Sequence, residues 1–401
     1  MRRFNVYEFT EQSMGMSTNR ARQLINGTDR YLCGSTTTEA TVMSPTEPIQ
    51  DPQHALLPST EPWRFDALKV KVNAILIAGK KLIGLQSHRL RTAHHDSEQS
   101  RFRGCLLGLA CGDAVGTTVE FERRGTFRPV TDMTGGGPFN LKPGEWTDDT
   151  SMALCLAASL VELGQFNAKD QMRRYCEWMN NGYMSSNGRC FDIGLTTGQA
   201  LHHFQKTGEP FCGSTRKDSA GNGCLMRLAP VPLFFYPNRD ESIAMSGQSA
   251  MTTHGAPECV EASRLLGAML FMALSGASKE DILLNHGVTD SESEGIAAIA
   301  GGNYQQKKRH EIRGSGYVVE SLEAALWCFW QTSTFKAAIL QAANLGEDAD
   351  TTAAICGQIA GAYYGESGLP KPWKKRLVMK DEIALLADQL YQHSVQSKIG
   401  L

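Results

Sequence analysis

No run of apolar residues in this chain approaches the roughly 20 needed to cross a bilayer. The longest candidates, residues 72–78 and 105–110, stop well short. Neither sign of charge is in excess. Against 42 Asp and Glu stand 40 Lys and Arg, and a formal net charge of -2 gives no general attraction to nucleic acid or to an anionic membrane. The 11 cysteines are odd in number and contain no CxxC pair, which argues against a zinc ribbon or a disulfide framework. Reduced, buried thiols in a cytoplasmic protein are the expectation. The opening MRRFNVYEFTEQS has no apolar stretch behind its arginines, so no secretory leader is expected. Period-2 alternation, the mark of a half-buried strand, is scarce throughout.

What the chain does have falls into two textures. Residues 34–62 are rich in Ser, Thr, Pro and Glu and read as a flexible linker. A short helix is expected before it, around 17–26. An amphipathic one is expected after it, over 65–85, with Leu68, Val72, Ile75 and Leu76 at helical spacing and lysines between. That second segment can pack on its own chain or dock on an acidic partner. Residues 1–100 are therefore read as an N-terminal extension, and 101–401 as the main domain.

From Phe102 onward, runs of Ala, Leu, Met and Gly alternate with loops of Gly, Asn, Asp and Thr. Helices are predicted over 102–116, 150–163, 168–180, 194–206, 241–251, 257–275, 278–284, 318–332, 335–343, 351–364 and 381–393. The fold class is all-α. Gly104, Gly108, Gly112 and Gly116 recur at every fourth position, and Gly357, Gly361 and Gly365 repeat the spacing near the end. Glycine costs a helix about 1 kcal/mol against alanine. Close approach of two helix backbones is the compensation expected here.

Chemistry gathers at two places. Thr147-Asp148-Asp149-Thr150 stands directly before an apolar run, and Glu347-Asp348-Ala349-Asp350-Thr351-Thr352 repeats that arrangement 200 residues later. Acids and hydroxyls at a helix start can cap its N–H groups and suit its dipole. Capping accounts for one acid better than for two. Two such starts facing each other would crowd four carboxylates, whose repulsion a cation relieves. All-oxygen donors select a hard ion such as Mg²⁺, and with this many ligands a pair of ions is plausible.

The chain resembles the ADP-ribosylglycohydrolases, including those that reactivate dinitrogenase reductase. The resemblance rests on FRGCLLGLACGDAVGTTVEF at 102–121, TDDT at 147–150, CFDIG at 190–194, GNGCLMRLAP at 221–230, TTHGAPE at 252–258, GYVVESLEAALW at 316–327 and EDADTT at 347–352. These matches follow the family's order and cover nearly the whole helical region. The resemblance implies a compact orthogonal helical bundle with two Mg²⁺ ions in a cleft, Mn²⁺ being able to substitute. Thr147, Asp148, Asp149, Asp348, Asp350 and Thr351 are the implied metal ligands.

It further implies catalytic carboxylates at Glu120, Asp149 and Asp192. Glu120 opens a loop with Arg123, Arg124 and a flexible Gly135-Gly136-Gly137 that can gate the cleft. Asp192 has a competing reading as a helix N-cap. Gly221, Asn222 and Gly223 have the look of a phosphate cradle, with Met226 and Arg227 behind it. Cys224 stands where relatives often carry serine. His254 is assigned to the distal part of the ligand and Tyr317 to packing on the nucleotide. The implied reaction is hydrolysis of the N-glycosidic bond of an ADP-ribosylated side chain, with arginine the expected acceptor and serine the alternative.

Some relatives are immunity proteins that reverse the action of ADP-ribosyltransferase toxins and also bind them through an N-terminal extension. Residues 1–100 are a candidate for that role. A module that neutralises a toxin by occlusion alone is the rival reading, and the intact acidic motifs weigh against it. The partners expected are an ADP-ribosylated protein and a cognate toxin; nucleic acid and membranes are not expected.

Overall fold

A computed structural model of the chain describes residues 97–288 and 291–399. The linker at 34–62 and the helices expected at 17–26 and 65–85 lie outside the described residues. Within them the chain is helical, without strands and with only three isolated bridges.

The centre of the fold is an antiparallel pair, α1 (Glu98–Gly116) and α12 (Ala349–Gly368). Both are buried on nearly every side, as apolar-all-round helices must be. The glycine stripes explain how they meet. A Cβ on Gly108 would sit 2.3 Å from the Gly357 carbonyl oxygen, and one on Gly112 would sit 2.1 Å from that of Ala353. A Cβ on Gly361 would meet the Gly104 oxygen at 2.0 Å. The two backbones are thus in direct contact along four turns, and side chains on that face are excluded. Gly365 ends the stripe, a Cβ on Gly104 lying 2.7 Å from its backbone carbon. It adopts φ 64° and kinks α12 near its end.

Around this pair pack α2 (Asp148–Leu163), α3 (Ala168–Asn181), α4 (Leu195–Thr207), α5 (Pro230–Phe235), α6 (Arg239–Met251) and α7 (Pro257–Leu274). They are followed by α8 (Lys279–Leu284), α9 (Glu294–Ala300), α10 (Val318–Gln331), α11 (Phe335–Ala343), α13 (Lys371–Arg376) and α14 (Lys380–Ile399). Helices α10 and α11 flank α12, whereas α14 lies along α1 and α2. Arg103 of α1 forks onto Asp388 of α14 at 2.6 and 2.5 Å, and Phe102 packs edge-on against Tyr391. Left-handed glycines at 164, 182 and 208 end α2, α3 and α4.

All eleven helices expected beyond residue 100 are present, with ends shifted by up to six residues. Three short ones, α5, α9 and α13, escape the pattern. Each has at most seven residues, and the prolines of α5 and α13 punctuate what periodicity there is. The ten cysteines among the described residues are free thiols, most of them buried. No helix of the described residues is long and apolar enough to cross a membrane.

Candidate active site

Because α1 and α12 run antiparallel, the C-terminal end of α1 lies beside the N-terminal end of α12. A Cβ on Gly116 would touch the Ala349 carbonyl oxygen at 2.3 Å. The start of α2 joins them there. Thr147 Oγ1 donates to Asp350 Oδ2 at 3.3 Å, and Thr351 Oγ1 donates to Asp149 Oδ1 at 3.2 Å. The two acidic helix starts do face each other.

Asp113, on α1, fixes that meeting. Its Oδ1 accepts from the Thr147 N–H at 2.9 Å and hydroxyl at 3.0 Å; its Oδ2 accepts from the Thr150 N–H at 3.0 Å and hydroxyl at 2.6 Å. The cap of α2 therefore comes from another helix, and the expectation that the TDDT residues cap their own helix is corrected. Thr147, at the N-cap, accepts no side-chain capping bond, and neither does Asp348 at the start of α12. In sequence Asp113 looks like an interruption of the glycine stripe. A carboxylate in the middle of an otherwise apolar helix was the signal available for it.

With the caps supplied elsewhere, the acids are left facing one another. Carboxylate oxygens of Asp148, Asp149 and Asp350 lie within 4.8 Å of each other, and so do those of Glu120, Asp192 and Asp350. Asp350 is common to both groups. Asp348 adjoins Asp350 and Thr351, its Oδ2 accepting from Asn222 Nδ2 at 2.7 Å. Burial is the first cause that raises the pKa of Glu120, Asp148, Asp149, Asp192 and Asp350 well above the carboxylate range, and neighbouring carboxylates add to it. Burial raises Asp348 as well, against the bond from Asn222. Asp113 is pushed up to about 6 by burial, against its four hydrogen bonds.

Two oxygens, Asp149 Oδ2 and Asp350 Oδ1, are buried with no hydrogen-bond partner. Buried polar atoms are rarely left so. Orphaned oxygens in an all-carboxylate and hydroxyl cluster fit a hard cation. The site can therefore hold a metal ion, and Glu120 and Asp192 reach it as well as the helix-start acids.

The loops that carry Glu120 and Asp348 are tied together. The Phe121 N–H donates to the Glu347 carbonyl at 2.7 Å, and the Glu347 N–H donates to that of Glu122 at 2.7 Å. Arg124 spends its guanidinium on the carbonyls of Leu345, Arg309 and Ile312 at 3.0, 2.6 and 2.5 Å, so it staples loops. The three glycines at 135–137 form a tight turn, and a Cβ on Gly137 would lie 1.9 Å from the Thr117 oxygen. All three hold left-handed φ values, so here glycine serves shape. Asp192 is not a helix N-cap: Gly194 holds that position, and Asp192 sits two residues earlier at φ 61°.

On the other side, Gly221-Asn222-Gly223 forms an extended residue and a 3₁₀ turn. The Gly221 and Asn222 N–H groups donate to Ser219 and Gly316 carbonyls at 2.8 and 3.0 Å, so any cradle depends on the Gly223 end. His254 packs against this turn; a Cβ on Gly223 would meet its Cε1 at 2.7 Å. Thr253 Oγ1 lies 2.8 Å from His254 Nδ1. Burial, with Arg227 nearby, drops the His254 pKa to about 3, so the ring is neutral. Arg227 is fully buried, donates to the Thr252 and Thr253 hydroxyls at 3.1 and 2.7 Å, and lies over the Tyr175 ring. It braces His254 from behind. Met226 is also buried, its carbonyl accepting from Gln358 of α12. Tyr317 is 40% exposed beside Gly221, its hydroxyl donating to Glu258 at 2.8 Å.

Comparison with known proteins agrees with this geometry. The ADP-ribosylglycohydrolase family model matches residues 94–399. The chain is 47% identical over 289 residues to ADP-ribosylarginine hydrolase Tri1 of Serratia proteamaculans, covering 72% of this chain and 78% of that protein. It is 31% identical over 290 residues to the ADP-ribosyl-[dinitrogen reductase] glycohydrolase of Rhodospirillum rubrum, covering 71% and 93%. A solved structure titled "ADP-ribosylglycohydrolase-related protein complex" superposes with a TM-score of 0.66 at 41% identity, over 74% of this chain and 99% of the other. The chain belongs to the ADP-ribosylglycohydrolase family and is a hydrolase of the glycosidase class.

Proposed function

We propose that this ADP-ribosylglycohydrolase removes ADP-ribose from arginine side chains of proteins, using two Mg²⁺ ions held between the starts of α2 and α12. The observation that carries the reading is the convergence of Asp148, Asp149 and Asp350 with Glu120 and Asp192 around buried oxygens that lack partners. The arginine linkage draws its support from the likeness to proteins named ADP-ribosylarginine hydrolase at 47% and 45% identity. Thr147, Asp148, Asp149, Asp348, Asp350 and Thr351 are the proposed ligands, with Mn²⁺ able to replace Mg²⁺.

When bound, the ions would supply Lewis acidity and hold the ribose hydroxyls in place. The chain's own residues do the rest. Water adds to C1 of the distal ribose as its bond to the guanidine nitrogen breaks. A carboxylate takes the water proton, and a carboxyl group delivers one to the departing guanidine. Glu120, Asp149 and Asp192 are the groups placed for these transfers. Positive charge growing on the ribose is met by the surrounding acids. Gly223, His254 and Tyr317 are proposed to seat the nucleotide, Asn222 to hold Asp348 in position, and Arg227 and Met226 to support that turn.

The test is hydrolysis of defined ADP-ribosyl-arginine and ADP-ribosyl-serine proteins with and without Mg²⁺. Metal-dependent release of ADP-ribose from arginine supports the reading; release from serine alone would overturn the linkage.

A second proposal concerns residues 1–100. We read them as an extension outside the catalytic domain that binds a cognate ADP-ribosyltransferase toxin, making the protein an immunity factor. The change of composition near residue 100 and the family match beginning at residue 94 support the division.

A further inference from the structure

Three aromatic rings next to Glu120 and Asp192 have no part in the chemistry above. Phe121 follows Glu120, and Phe191 precedes Asp192. Phe139, carried by the turn that closes between Gly136 and Leu141, lies between them. Its ring centroid is 5.3 Å from that of Phe191 and 6.5 Å from that of Phe121.

The backbone holds the Phe121 ring outward at a cost. Phe121 has φ 63° and Asp192 has φ 61°. The left-handed region is an outlier for a bulky aromatic residue, and such strain persists only where the surroundings impose it. Here the Phe121 N–H bond to Glu347 imposes it. As a result Glu120 is 3% exposed while the ring beside it is 52% exposed. Phe191 and Asp192 are both half-buried: the carboxylate is within 4.8 Å of those of Glu120 and Asp350, and the ring packs on Phe139.

We infer that Phe121, Phe139 and Phe191 form the subsite for the side chain of the modified arginine, taking its guanidinium and aliphatic stem between aromatic faces and the Glu120–Asp192 carboxylates. This rests on the arginine reading given above. The chemistry is complementary. A guanidinium is planar, stacks on aromatic rings and pairs with carboxylates, and its stem is apolar. The Asn222 turn meets the cluster at Asp348, whereas Phe121 and Phe191 are the chain neighbours of Glu120 and Asp192. A serine acceptor, short and neutral, would gain nothing from three phenyl rings.

The test compares the wild-type chain with Phe191→Leu, Phe139→Leu and the double variant, with Phe191→Tyr as the conservative control. KM for an ADP-ribosyl-arginine peptide should rise about tenfold in Phe191→Leu and further in the double variant, with recovery in Phe191→Tyr. The Kd of free ADP-ribose, by calorimetry, should stay within about twofold, and circular dichroism should confirm the fold. An unchanged KM would overturn the assignment and leave the rings as loop packing. A parallel loss of ADP-ribose affinity would also overturn it, by making them a nucleotide platform. Wild-type protein that cleaves another linkage but not ADP-ribosyl-arginine would overturn the functional reading itself, and this subsite with it.

Discussion

The substitution Gly112→Ala should destabilise this protein, although alanine is the better helix former. In an unconstrained helix the change gains about 1 kcal/mol. Here the new methyl would lie 2.1 Å from the Ala353 carbonyl oxygen and 2.5 Å from its carbon. Both are backbone atoms, so no rotamer change can relieve the contact. Helices α1 and α12 would have to separate on the order of 1 Å, and forcing a methyl into a well-packed core costs about 1–3 kcal/mol before the loss of neighbouring contacts is counted. We expect a net loss of about 2–4 kcal/mol. For a domain of this size that is a fall in melting temperature of roughly 4–8 °C. The site should suffer too, because Asp113 lies on α1 and Asp350 on α12, and a misplacement of about 1 Å can cost around 100-fold in rate. Gly198→Ala is the control. It lies inside α4, and its Cβ would meet only Ile193 at 3.8 Å, so it should be neutral or stabilising by up to about 1 kcal/mol. Differential scanning calorimetry and ADP-ribose release decide the matter. If Gly112→Ala melts at or above the wild-type temperature, the backbone-contact argument is wrong.

Asp149→Ala and Asp350→Ala should each nearly abolish hydrolysis while leaving the circular dichroism of the helices in place, since Asp149 accepts from the Thr351 hydroxyl, Asp350 from the Thr147 hydroxyl, and the other oxygen of each has no partner; full activity at limiting Mg²⁺ would sink the metal assignment. Removal of divalent ions with a chelator should inactivate the protein, with recovery on adding Mg²⁺ or Mn²⁺, and undiminished turnover after metal removal would count against the mechanism. Burial and mutual repulsion raise the carboxyl pKa values in the metal-free cluster, so protons and cations compete for the same oxygens. Mg²⁺ affinity should therefore weaken as pH falls, and binding should release protons, which calorimetry in buffers of different ionisation enthalpy will read. Deletion of residues 1–90 should leave hydrolysis of a small ADP-ribosylated substrate intact and weaken binding to a cognate toxin; loss of hydrolysis in a folded truncation would place the extension within the catalytic domain.

The helices were legible in the sequence because their apolar periodicity is long, and the glycine stripes because the spacing repeats in both partners. That the two acidic helix starts face each other was suggested by their repeated pattern and by the family resemblance; repulsion among the carboxylates supplied only the need for a cation. What escaped the sequence is what depends on a third element. Asp113 caps a helix whose start is 34 residues away, and nothing local to either segment says so. The TDDT run looks self-capping for the same reason, since Asp and Thr carry that chemistry wherever they precede a helix. The glycines at 135–137 read as flexible because sequence shows their conformational freedom, not the Thr117 backbone that occupies the space a side chain would need. The left-handed φ of Phe121 has no sequence signature at all, because the residue type argues against it.

These omissions share one cause, and it bears on how the site works. Part of the capping at both helix starts comes from elsewhere: Asp113 accepts the Thr147 and Thr150 N–H groups at α2, and the Gly314 carbonyl accepts the Asp348 N–H at α12. The cost is borne in the core, where two backbones are pressed together without side chains and a carboxylate is buried in α1. That arrangement fixes the two acidic starts relative to each other through rigid helices, where a loop-built site would let them spread apart under their own repulsion. A cation-binding cluster with its charges held together before the ion arrives is the direct consequence.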